Sequence, residues 1–95
     1  MPDNLTLLIA AYKAGVADYN ANAPDDDDEA ADAYGLVSYG PPMDALRAFT
    51  GSATSHAEAL LALDTALKEM NDGDYETAVV LIEAASLFLR EVCVA

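Results

Sequence analysis

Apolar residues Leu5, Leu8, Ile9, Tyr12, Val16 and Tyr19 fall on one stripe at spacings of three and four, which predicts an amphipathic helix from about Asn4 to Asn20. Asp3 or Asn4 supplies its cap, and Asn20-Ala21-Asn22-Ala23-Pro24 ends it. Gly15 lies inside the stripe at a cost of about 1 kcal/mol relative to alanine, so the helix bends there or packs closely on a neighbour. Pro24 suits the first turn of a second helix, where its missing N–H is no loss. That helix runs to about Tyr34 or Leu36. The segment Tyr34-Gly35-Leu36-Val37-Ser38-Tyr39-Gly40-Pro41-Pro42 reads as an ordered loop.

Pro42 opens a short third helix over Met43 to Phe49, closed by Thr50-Gly51-Ser52. Ser55 and Glu58 have the Ser-x-x-Glu spacing of a capping box. The helix they open carries Leu60, Leu63, Leu67 and Met70 at a 3-4-3 spacing. Asn71-Asp72-Gly73-Asp74 is a tight stop and restart, with Gly73 as the left-handed residue and Asp74 as the next cap. The last helix, Tyr75 to about Val92, is apolar almost all round through Val79, Val80, Leu81, Ile82, Ala84, Ala85, Leu87, Phe88 and Leu89. A helix of that kind is central in a bundle or buried against a second chain. No strand competes, since Leu36-Val37-Ser38-Tyr39 is too short to build a sheet. The pattern therefore predicts an all-α fold: a compact bundle of four to five helices, ending in a C-terminal helical hairpin, as a single domain over residues 1–95. The chain's 20 alanines agree with close helix–helix packing.

Gly73-Asp74-Tyr75-Glu76-Thr77-Ala78 resembles the turn and second-helix start of a tetratricopeptide repeat. The resemblance covers one hairpin, and about three repeats are needed for such a stack to be stable. It implies a helical hairpin and no peptide-binding groove.

Composition narrows the function. Seventeen Asp and Glu face four Lys and Arg, a formal net charge of −13, while 54% of residues are hydrophobic and support a folded core. Such a chain is a poor ligand for DNA, RNA or an anionic bilayer, because each phosphate contact needs a donor. Cys93 alone forms no internal disulfide framework, and one histidine, His56, is too few for a zinc site built from His and Cys. The N-terminus has no basic start or long apolar region of a secretory signal, and the stretch Thr77 to Leu89 is too short to span a bilayer. With the lone cysteine, this predicts a cytoplasmic protein.

Chemistry-bearing patterns fail on specific parts. Asp72, Asp74, Glu76 and Glu83 occupy positions of an EF-hand loop, but Thr77 stands where that loop needs glycine; Asp25 to Asp28 fail likewise at Ala30 and Leu36. Ser55 and His56 are adjacent in sequence, which is not how a nucleophile meets its base, and no Gly-x-Ser-x-Gly turn is present. His56 reads as a first-turn surface residue and Cys93 as a small apolar contact. No catalytic, cofactor or metal residue is expected, and the protein reads as non-enzymatic.

Six of the eight residues from Asp25 to Asp32 are acidic, and Glu58, Asp64, Glu69, Asp72, Asp74, Glu76, Glu83 and Glu91 spread along the later helices. Side chains one helical turn apart lie about 5–6 Å from each other, comparable to the spacing of phosphates along a strand. In size, charge and helical build the chain resembles the small acidic phage-encoded inhibitors that mimic nucleic acid against restriction and CRISPR systems. That resemblance is one of class and implies a partner with a basic nucleic-acid-binding groove. The candidate partner-binding residues are Asp25, Asp26, Asp27, Asp28, Glu29 and Asp32, with Tyr34 and Tyr39 as aromatic anchors. Two alternatives stand beside it: a solvated acidic surface without a partner, and a structural or adaptor protein that pairs as a homodimer through its C-terminal helix. Ala10-Ala11-Tyr12-Lys13-Ala14-Gly15, Tyr19-Asn20-Ala21-Asn22-Ala23-Pro24 and Tyr39-Gly40-Pro41-Pro42 are also similar to segments of short uncharacterised alphaproteobacterial proteins, which implies no activity.

Overall fold

A computed structural model describes residues 4–94 as five α-helices, with no strand among them: α1 (Leu5–Asn22), α2 (Asp28–Val37), α3 (Gly40–Arg47), α4 (His56–Asn71) and α5 (Tyr75–Val94). The predicted all-α bundle with a C-terminal hairpin is what the chain forms. α4 and α5 pack along their length as the hairpin, α1 and α3 pack on each other and on that hairpin, and α2 rests on α3.

Helix ends follow local capping chemistry. Asn4 Oδ1 accepts the Thr6 and Leu7 N–H groups at 2.8 and 3.4 Å; Asp3, the alternative cap, lies outside the described residues. Ser55 Oγ accepts the Glu58 N–H at 3.1 Å. The return half of the expected capping box is displaced by one residue, because Glu58 accepts the Thr54 N–H at 2.9 Å instead of that of Ser55. Gly73 has φ 91° and turns the chain into Asp74, whose Oδ1 accepts the Thr77 N–H at 3.1 Å.

Three boundaries differ from the sequence reading. α2 begins at Asp28 rather than at Pro24, because the Asp27 side chain caps it on the Ala30 N–H at 3.1 Å. Pro24, Asp25 and Asp26 form the turn before it. The segment read as a loop from Tyr34 to Pro42 is mostly helical: α2 continues to Val37, and α3 starts at Gly40 with prolines in its first turn. Only Ser38 and Tyr39 connect the two helices.

The core gathers Leu5, Ile9, Tyr12, Leu46, Ala53, Ala59, Ala62, Ala66, Ala78, Leu81, Ala84 and Ala85, with Leu8, Val16, Met43, Phe49, Leu61 and Phe88 around it. The α1 stripe faces inward as expected. At Gly15 a Cβ would lie 2.6 Å from the Ser38 carbonyl oxygen, so the absent side chain lets α1 touch the α2–α3 connection.

The stripe of α4 reverses the expectation. Leu60, Leu63, Leu67 and Met70 are exposed, and the inward face is Ala59, Ala62, Thr65, Ala66 and Glu69. Small residues at the contact let helix backbones approach closely; four large ones there would hold α4 away from its neighbours. α5 is correspondingly one-sided, burying Thr77, Ala78, Leu81, Ala84 and Ala85 while Tyr75, Val79, Ile82 and Leu87 stay in solvent.

The acidic turn, the tyrosine cluster and the buried carboxylates

All six acidic candidates are exposed, and they occupy two settings. Asp28, Glu29 and Asp32 sit on α2, where the spacing of Asp28 to Asp32 and of Glu29 to Asp32 puts side chains one turn apart. Asp25, Asp26 and Asp27 lie on the turn before it, so a helical row of carboxylates extends over three residues and not six. The exposed N–H groups and dipole at the start of α2 favour negative charge at Asp28 and Glu29. The ion pairs among the described residues are Arg47–Asp74, Arg47–Glu76 and Lys68–Asp72, so none of the six is neutralised by a basic side chain.

Tyr34 and Tyr39 are half-buried and join Tyr19 of α1 in a cluster. The Tyr19 and Tyr39 rings meet edge to face at 5.2 Å between centroids, and Tyr19 and Tyr34 are tilted at 6.5 Å. The Tyr34 hydroxyl donates to Asp18 Oδ1 at 2.7 Å, and that hydrogen bond to a carboxylate raises its pKa. Tyr34 thus ties α2 to α1, and Tyr39 packs the α2–α3 connection on α1. The apolar residues exposed beside the acidic helix are instead Leu36 (75%) and Val37 (73%), at its C-terminal end. Sequence reasoning missed them because their neighbourhood read as a loop.

Three of the eight acidic residues assigned to the distributed surface are not part of it. Glu58 and Glu69 are buried, and Asp74 is half-buried. Glu58 accepts the Thr6 N–H at 2.9 Å and the Thr6 hydroxyl, and on its other oxygen the Thr54 N–H at 2.9 Å and hydroxyl at 3.1 Å. Burial opposes its ionisation, but these donors together outweigh burial and hold its pKa below the usual glutamate value. Asp74 is similar: burial is overcome by the Thr77 hydroxyl and N–H and then by the Arg47 guanidinium, 2.9 Å away. Glu69 Oε1 accepts the Tyr12 hydroxyl at 2.5 Å. Burial first, and then this carboxylate, push the Tyr12 pKa far above 10.0. Each of these carboxylates joins separate parts of the chain.

His56 is exposed, with its ring edge-on to Phe88 at 5.1 Å. Cys93, expected as a small apolar contact, is exposed on the outward side of α5, in the same run as Ile82, Ser86 and Leu89. Among the described residues no three His, Cys, Asp or Glu side chains converge as a metal set, so the acidic turn does not gather into a cage. Among the described residues no helix is long and apolar enough to cross a membrane. We find no family model, curated protein or solved structure that matches this chain.

Proposed function

We propose that this is a non-enzymatic interaction protein that offers the acidic turn and first part of α2 to the basic groove of a nucleic-acid-binding partner, competing there with DNA or RNA. A component of a CRISPR or restriction system fits that description of the partner. The observation that carries the reading is the set Asp25, Asp26, Asp27, Asp28, Glu29 and Asp32: six exposed carboxylates with no basic side chain paired to them among the described residues. Unpaired charges of one sign on a small body steer encounter with an oppositely charged groove. Leu36 and Val37 add apolar contact at the far end of the same helix.

The test is retention of proteins from a bacterial lysate on the immobilised chain at low salt, followed by elution with duplex DNA or with RNA. Wild type should retain basic nucleic-acid-binding proteins that nucleic acid then displaces. A variant with Asp25, Asp26, Asp27 and Asp28 changed to asparagine should lose them, and the salt dependence of binding should flatten. Equal retention by the variant, or retained proteins that nucleic acid does not displace, overturns the proposal.

A further inference from the structure

The outward side of the α4–α5 hairpin carries two runs with coiled-coil spacing. On α4, Leu60, Leu63, Leu67 and Met70 follow 3-4-3; on α5, Tyr75, Val79, Ile82, Ser86, Leu89 and Cys93 follow 4-3-4-3-4. Leu60 is 60% exposed, Leu67 62%, Tyr75 62% and Val79 52%. Leu63, Ile82, Ser86, Leu89 and Cys93 line one shallow groove, with Arg90 at its edge, so the two runs form one surface. These side chains expose on the order of 600 Å² of mostly apolar surface, at the top of the range for the largest patch on a monomer.

We infer that this face is the interface of a homodimer, with a second copy of the same chain as its occupant. Three observations select a copy. First, the area suffices: a standard interface takes about 800 Å² from each partner, of which a homodimer makes about 65% apolar, or about 500 Å². Second, the face contains no acidic residue on a chain with 17 of them, so two copies that repel elsewhere can meet here without burying like charges. Third, its border carries both signs of charge. Asp64, Glu76 and Glu83 flank it beside Arg90 and Lys68, two of the chain's four basic residues, and Lys68 is also paired with Asp72. A self-complementary patch must meet its own charges across a two-fold axis, and this border permits that.

The inference is independent of the acidic turn and predicts the opposite response to salt. Screening the charge of −13 on each copy strengthens self-association, whereas it weakens binding of a basic partner. The full chain should therefore sediment at twice its 10.0 kDa mass, with a dissociation constant on the order of micromolar that tightens as sodium chloride is added. Leu67→Lys and Ile82→Lys should each weaken dimerisation roughly 30-fold or more. Lysine lowers the net negative charge, so a loss of association cannot come from added general repulsion. Both residues are exposed, so circular dichroism and Tm at low protein concentration should show an intact fold. Leu36→Lys, on α2, should leave the mass unchanged. A 10.0 kDa species throughout a concentration series from roughly 1 μM to 1 mM overturns the inference. So does a dimer that both lysine variants leave intact.

Discussion

At Gly15 a single methyl group would force two parts of the chain apart. Alanine would favour α1 by about 1 kcal/mol through helix propensity. Its Cβ, however, would lie 2.6 Å from the Ser38 carbonyl oxygen and 2.9 Å from Tyr39 Cα, both backbone atoms that cannot swing aside. Gly15→Ala should therefore destabilise the protein by a net ~1–3 kcal/mol in urea unfolding. The sequence stripe already raised bending or close approach at this residue, and the structure shows the approach. Tyr12 and Glu69 were not legible as a pair, because 57 residues separate them and only the docking of α1 beside α4 brings them together. Tyr12→Phe leaves a buried carboxylate without its donor and should cost ~1–3 kcal/mol near neutral pH. Because the folded state holds the Tyr12 pKa above its unfolded value of 10.0, this stabilisation is complete below pH 10.0 and is lost as pH rises above it. The variant should lack that alkaline loss in Tm.

The elements divide according to what sets them. Asn4, Ser55 and the Gly73-Asp74 turn could be read from the sequence because a cap is a contact within a few residues. Competing caps were harder: at the start of α2 both Pro24 and Asp27 are acceptable, and the Asp27 side chain decides the boundary. The inward face of α4 was not legible at all. Hydrophobicity ranks its leucines above its alanines, but the bundle takes the alanines inward because they allow α4 to lie close to its neighbours. Substituting leucine at Ala62, fully buried, should destabilise the hairpin by ~1–3 kcal/mol, while Leu60→Ala on the opposite face should change monomer stability by less than ~0.5 kcal/mol. Chemical denaturation of the two variants at low concentration, where self-association is absent, checks the contrast.

For the whole molecule, the charge of −13 and the buried acceptors act in opposite directions with pH. Lowering the pH from neutrality reduces the net negative charge and its self-repulsion. Further acid reaches Glu58 and Asp74, whose folded pKa values lie below the unfolded 4.5 and 3.8. A depressed folded pKa gives stability that is present above the unfolded value and lost as pH falls through the folded one. Stability should therefore fall below about pH 4, as these two carboxylates are forced to take up protons. Glu58→Gln should make the acid limb shallower. At pH 7, added salt should raise the Tm of the Ile82→Lys monomer by screening the same repulsion.

α2 buries only Gly35 completely and is held mainly by α3 and the three tyrosines, while the other helices share one apolar core. So little buried area gives α2 a low opening free energy of its own, and it should behave as a separate cooperative unit. Amide hydrogens of residues 30–37 should exchange with solvent well before those of α4 and α5, under conditions where the rest of the chain stays protected. Asp28, Glu29 and Asp32, and with them the three aspartates of the preceding turn, would then ride on a segment that can leave its seat and adapt to a surface without unfolding the remainder.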